Sequence, residues 1–138
     1  MEIEINVKSS QFSKETGHDG QEFACIGKLE DRGGKYYIRY REPERPDETP
    51  ADVTLKVDGD SVTLMRGGEA HSHFVFKNGE RDTSRYITPY CSFLMSILPR
   101  FVRIERDSEG GKIDLGYSLT INGEQESENN FCIKYKFR

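Results

Sequence analysis

A chain of 138 residues with a formal charge of −4 has the size of one domain, 1–138, and its acidic balance disfavours nucleic acid and anionic membranes as partners. Hydrophobic residues make up only 34% of it, enough for strands that each bury one face but not for elements buried all round. Three alanines (Ala24, Ala51, Ala70) stand against seven tyrosines and eight phenylalanines, a balance that points away from helices and towards pleated structure.

The three cysteines, Cys25, Cys91 and Cys132, are odd in number and widely spaced, as expected of reduced thiols in a cytoplasmic protein. Met1-Glu-Ile-Glu-Ile-Asn lacks the basic and apolar regions of a secretory leader. The longest nearly apolar stretch, Phe93 to Leu98, is far too short to cross a bilayer.

Ile3, Ile5 and Val7 alternate with Glu2, Glu4, Asn6 and Lys8, which predicts a first strand with one apolar face. Ser13 to Gly20 reads as a polar, turn-rich connection. Phe23, Cys25 and Leu29 share one face of a second strand, and Gly33-Gly34 turns the chain into a third, where Tyr36, Ile38 and Tyr40 oppose Tyr37, Arg39 and Arg41. Pro43 to Ala51, with three prolines among charged neighbours, reads as a loop.

A hairpin follows: Val53, Leu55 and Val57, the Asp58-Gly59-Asp60 turn, then Val62, Leu64 and Arg66. Phe74 and Phe76 oppose His71, His73 and Val75, and Asn78-Gly79 marks the next turn. Tyr86 to Leu98 admits two readings, a strand broken at Pro89 or a strand followed by a short helical turn over a barrel end. From Phe101 to Arg106 the faces are Val102 and Ile104 against Phe101, Arg103 and Glu105. Lys112 to Phe137 is a long hairpin, in which Ile113, Leu115, Tyr117, Leu119 and Ile121 are answered, after Asn122-Gly123 and a polar loop, by Phe131, Ile133, Tyr135 and Phe137.

These segments predict an all-β fold, a closed antiparallel up-and-down barrel of about 8–10 strands. The outward face of the first strand carries Glu2 and Glu4, and that of the last carries Lys134, Lys136 and Arg138. This charge complementarity predicts that the first and last strands pair and remove two sheet edges.

Four segments resemble the YwiB-like family: Tyr36-Tyr37-Ile38-Arg39-Tyr40, Val62-Thr63-Leu64-Met65-Arg66-Gly67-Gly68, Tyr86-Ile87-Thr88-Pro89-Tyr90 and Gly111 to Leu119. The chain departs from the family pattern at Cys91, in place of glycine, and at Leu98-Pro99, in place of a threonine-containing strand. The resemblance implies a small bacterial cytosolic protein with a calycin-like (lipocalin-like) barrel, and it implies no activity.

Residues with chemical potential are few. His71 and His73 fall on one face at metal-compatible spacing, yet a zinc or iron site needs a third ligand and Glu69 is a weak one, so no metal and no cofactor is expected. Lys35 to Arg41 interleaves aromatics with bases as single-strand-binding barrels do, but Glu42, Glu44, Asp47 and Glu48 follow and would repel phosphates. No nucleophile elbow, phosphate-binding loop or dinucleotide fingerprint appears, so catalysis is not expected.

Arg66 continues the parity of Val62 and Leu64 and should point inward at the rim, where it needs either an internal carboxylate or an anionic ligand group. Tyr36, Tyr40, Tyr117 and Tyr135 share the predicted inner face, and their hydroxyls call for partners. These five residues are the candidate binding set for a small amphipathic or anionic ligand. The other reading is an interaction module, for a protein partner or a second copy, acting through Tyr37, Arg39 and Arg41 or through Tyr90 to Phe101.

Overall fold

The computed structural model describes residues 1–15, 17–43, 50–68 and 71–138, except for the side chains of 125 and 126. Ten antiparallel strands form a nearly closed barrel: β1 (Glu2–Ser13), β2 (Gly17–Arg32), β3 (Lys35–Arg41), β4 (Asp52–Asp58), β5 (Ser61–Gly67), β6 (Ser72–Phe76), β7 (Asp82–Ile87), β8 (Ser92–Arg106), β9 (Gly110–Ile121) and β10 (Glu124–Phe137). The strand order is β6-β5-β4-β3-β2-β1-β10-β9-β8-β7, so every ladder but one joins strands consecutive in sequence. The exception is the pairing of β1 with β10, which sets Glu4 opposite Lys136 and Asn6 opposite Lys134 as the charge pattern predicts.

Alternation places the core. Ile3, Ile5, Val7, Leu29, Ile38, Leu55, Val62, Phe76, Ile97, Ile113, Leu115 and Ile133 are almost wholly buried. The turns follow the same chemistry: Gly33 and Gly34 both take positive φ (57° and 88°), as do Asn122 and Gly123 (50° and 88°), which matches two-residue hairpins to the twist of their strands.

The two outermost strands, β6 and β7, meet at their ends only. His71 and Ile87 exchange two backbone hydrogen bonds (2.9 and 3.1 Å), and Lys77 and Glu80 pair around the Asn78-Gly79 turn. Between these tethers the Val75 amide donates to the Asp82 side chain (2.7 Å) where a ladder would have used a backbone carbonyl.

Two segments differ from the sequence expectation. Ser13 to Gly20 is mostly strand: β1 runs to Ser13 and β2 starts at Gly17, because polar strands can extend as a ribbon beyond the core when β10 pairs alongside, as Phe12 with Glu128 does. The polar stretch after Asn122-Gly123 is likewise strand, with a register shift between Gln125 and Ser127.

Of the two readings of Tyr86 to Leu98, the strand broken at Pro89 is the one that holds, with no helical turn. β7 ends at Ile87, Thr88 caps a tight turn by accepting the amides of Tyr90 and Cys91 (3.3 and 3.1 Å), and β8 runs on through Pro99. Pro99 is tolerated because β7 begins at Asp82, opposite Ile97, so no β7 residue pairs with Pro99, and a register shift between Pro99 and Phe101 exchanges the faces. That bulge is why Ile97 and Pro99 point inward while Val102 and Ile104 do so beyond it. Most of the proposed Pro43 to Ala51 loop, 44–49, lies outside the described residues; its ends are joined by a Glu42 amide to Ala51 carbonyl bond (3.0 Å).

Candidate functional site

One end of the barrel opens into a cleft of about 570 Å³. Its walls are the polar ends of β1, β2 and β10, the rim of β3 to β5, and the Tyr86 to Tyr90 segment above β7. The floor is apolar: Val7, Phe23, Leu64, Phe131 and the ring of Tyr117, which packs edge-on against Phe76 (4.9 Å between centroids). Floor and wall thus have opposite character, the usual composition of a small-molecule pocket.

Arg66 stands at this cleft as expected of its parity, and its guanidinium is already engaged. Glu42 accepts a short hydrogen bond from Arg66 Nη2. The two side chains keep 40% and 22% of their surface, so the pair forms part of the wall and is not sealed in the core. Glu42 was legible in the sequence, since it continues the inward parity of Tyr36, Ile38 and Tyr40. Of the two partners foreseen for Arg66, the internal carboxylate is the one present.

Tyr40 lies in the same cross-strand row as Arg66, with Val53 paired to both, and two residues in from Glu42 along the chain. Burial raises its hydroxyl's pKa, and the Glu42 carboxylate adds to the rise. Tyr117 is raised by burial as well, against the opposing pull of Arg66. Gly27 makes room for this arrangement: a Cβ there would lie 2.4 Å from Ile5 Cδ1 and 3.3 Å from Tyr40 Cβ.

The other two candidate tyrosines are elsewhere. Tyr36 and Tyr135 are buried at the opposite end of the barrel, below Arg106, whose guanidinium lies 4.7 Å from the Tyr36 ring centre. Their hydroxyls are close enough to perturb each other, burial raises both pKa values, and neither makes a well-formed hydrogen bond to a described residue. The inner face shared by the four tyrosines runs the length of the barrel, so Arg66, Tyr40 and Tyr117 gather at the cleft while Tyr36 and Tyr135 help seal the far end.

Sequence reasoning passed over Tyr86, Thr88 and Asn129, all of which line the cleft. Tyr86 stacks on Phe93 (5.2 Å, 28° between planes), and Asn129 donates to the Ser127 hydroxyl (2.8 Å). Tyr86 had a weak signal, the parity it shares with Asp82 and Ser84. Asn129 had the same kind of signal, since it continues the parity of Phe131, Ile133 and Tyr135 with no register shift between them.

His71 and His73 are exposed, and the described residues contain no cluster of three or more metal-binding side chains. On the outer face of β3, Arg39 pairs with Glu30 (3.0 Å), Arg41 with Asp52 (3.6 Å) and Lys35 with Asp58 (3.7 Å), so its bases are balanced locally by carboxylates. Tyr37 is flanked by Arg32 and Arg39. No helix among the described residues is long and apolar enough to cross a membrane.

Three comparisons bear on kinship. A family model described as a domain of unknown function (DUF1934) matches residues 5–133. The uncharacterized β-barrel protein YwiB of Bacillus subtilis (strain 168) is 24% identical over 134 residues, which cover 97% of this chain and 92% of that protein. The crystal structure of the ywiB protein from Bacillus subtilis superposes with a TM-score of 0.87 at 21% identity, over 99% of this chain and 92% of the other, a likeness of fold. The family match takes in most of the barrel, from β1 into the last strand, and the chain belongs to the DUF1934 family.

Proposed function

We propose that this protein is a non-catalytic binding barrel that works in the calycin manner, holding one small amphipathic molecule in the cleft at its open end. The observation that carries the reading is the cleft itself: about 570 Å³, apolar at the floor and polar at the wall, above a core of buried apolar side chains. Arg66, Tyr40 and Tyr117 belong to this site or its support; Tyr36 and Tyr135 act on it only through the fold. Three free cysteines far apart in the chain support a reducing, cytoplasmic setting.

Native mass spectrometry on freshly purified protein, followed by solvent extraction, tests the reading. A reproducible small-molecule adduct is expected, and its occupancy should fall in the Arg66→Met, Glu42→Gln double variant, which removes both charges and strands neither. A clean apo mass in every preparation would overturn it.

The second reading, an interaction module, is favoured by one observation. Tyr90 is 94% exposed at the cleft rim, with Leu94 and Ile87 exposed nearby on β8 and β7. An Ile87→Ser, Leu94→Ser variant, outside the cleft lining, that loses a partner or a dimer while keeping any adduct would establish it.

A further inference from the structure

We infer that the ligand of this cleft is neutral and hydroxyl-rich, a saccharide or a polyol of similar size, an inference that rests on the binding reading above. The argument begins with charge. Among the described residues that line the cleft Arg66 is the cation, and the Glu42 carboxylate already balances its charge. An anionic ligand would have to displace Glu42, leaving a partly buried carboxylate without its partner near the buried Tyr40, or bind beside it against like-charge repulsion. Asp19 on the rim adds a second negative charge. The described wall therefore disfavours carboxylates, phosphates and sulfates.

The wall offers groups that donate and accept side by side. The Glu42 carboxylate accepts and the Arg66 guanidinium donates; the Asn129 amide and the Ser9 hydroxyl do both. Such a set matches ligand hydroxyls, each of which also donates and accepts, and a neutral guest leaves the ion pair intact. The aromatic surfaces suit the remainder of a sugar. Tyr86, held by its stack on Phe93, and Tyr117, held by Phe76, present fixed rings to the cleft, and the C–H face of a pyranose or cyclitol can lie on such a ring while its hydroxyls reach the wall. A purely aliphatic ligand would cover these polar groups without satisfying them, which is costly.

The test is an amide chemical-shift titration of the isotopically labelled full chain, set beside the identity of any adduct extracted from the native protein. The neutral probes are maltotriose, cellotriose, chitotriose and myo-inositol; the charged and apolar probes are glucose 6-phosphate and laurate. Expected are shifts confined to the cleft, centred on Ser9, Gln21 and Asn129, with at least one neutral probe, and an affinity that does not change with salt. Asn129→Ala should weaken that affinity about tenfold, the worth of one well-made hydrogen bond, and Ile26→Ala on the outer face should leave it unchanged. Cleft shifts with glucose 6-phosphate or laurate alone, or an extracted adduct that is an anion or a hydrocarbon, would overturn the saccharide inference and leave the binding barrel standing. Silence from all six probes together with a clean apo mass would overturn the binding barrel itself.

Discussion

Asp31 and Arg106, 75 residues apart, form a two-pronged ion pair across the barrel end opposite the cleft, Nη1 to Oδ1 at 2.7 Å and Nη2 to Oδ2 at 3.0 Å. They sit on β2 and β8, strands that β1, β10 and β9 separate in the sheet. The same guanidinium covers the rings of Tyr36 and Phe137. One residue thus covers Tyr36, one of the two buried tyrosines at this end that the sequence had grouped with the ligand site.

Arg106→Met is expected to lower stability, with about 0.5–1 kcal/mol traceable to the lost cation–π contact. The Asp31 carboxyl is held below its ordinary value of 3.8 by the hydrogen bond from Arg106. A depressed carboxyl contributes stability that is complete above its ordinary value and is lost as pH falls towards the folded one. Asp31→Asn should therefore flatten the acid limb of a urea-denaturation series recorded below about pH 4 and should lose its effect in high salt. An acid limb identical to that of the unmutated protein would show that the pair is ornamental.

Gly110 and Gly116, like Gly27, sit where close packing and not turn geometry excludes a side chain. A Cβ on Gly110 would lie 2.0 Å from the Tyr135 carbonyl oxygen and 2.9 Å from Lys136 Cα, both backbone atoms that cannot swing aside. A Cβ on Gly116 would meet the Phe101 ring at 2.3 Å on the outer face, a side chain that can move. Gly110→Ala is expected to cost about 1–3 kcal/mol or more, and Gly116→Ala less. Thermal melts of the two variants and of Gly116→Ala with Phe101→Ala check this: the double variant should recover the loss that clash causes in the single one.

The pairing of β1 with β10 is sensitive to charge. Glu4 faces Lys136 directly, and Arg138 Nη1 lies 3.9 Å from Glu2. Glu4→Lys sets like charges opposite each other and should destabilise by about 0.2–1 kcal/mol; Glu4→Lys with Lys136→Glu should restore it. Equal stability of both variants in a denaturant series would remove charge from the account of how these edges are matched.

Alkali should unfold the barrel from within. Tyr36, Tyr40, Tyr117 and Tyr135 all have raised pKa values, burial being the first cause in each. A group whose folded value is raised favours the folded state fully below its ordinary value, near 10 here, and that contribution is lost as pH rises beyond it. Phenolate absorbance should therefore show a fraction of the seven tyrosines appearing only as far-ultraviolet circular dichroism collapses. Tyr40→Phe should push that midpoint upward. Complete ionisation with the fold intact would contradict the burial of all four.

Much of this architecture was written locally. Period-two alternation in β1, β3, β4, β5, β9 and the end of β10 determines which side chains are core, since a strand turns each successive residue to the opposite face. Gly33-Gly34 and Asn122-Gly123 determine where the chain reverses, since positive φ is cheap only for such residues. Opposite charges on the first and last strands were enough to foresee their pairing.

Tertiary structure decided the rest. Parity gives a face but not a height along the barrel, so Tyr36 and Tyr40, four residues apart on one face, end at opposite mouths. The exchange of faces at Pro99 depends on where β7 begins, which nothing in β8 records. Whether Arg66 waits for a ligand or holds Glu42 depends on the row that β4 places between β3 and β5. A sequence fixes the direction of each side chain because that is a property of a single strand; how far along the barrel it lies, and what it meets there, belongs to the registers of all ten strands together.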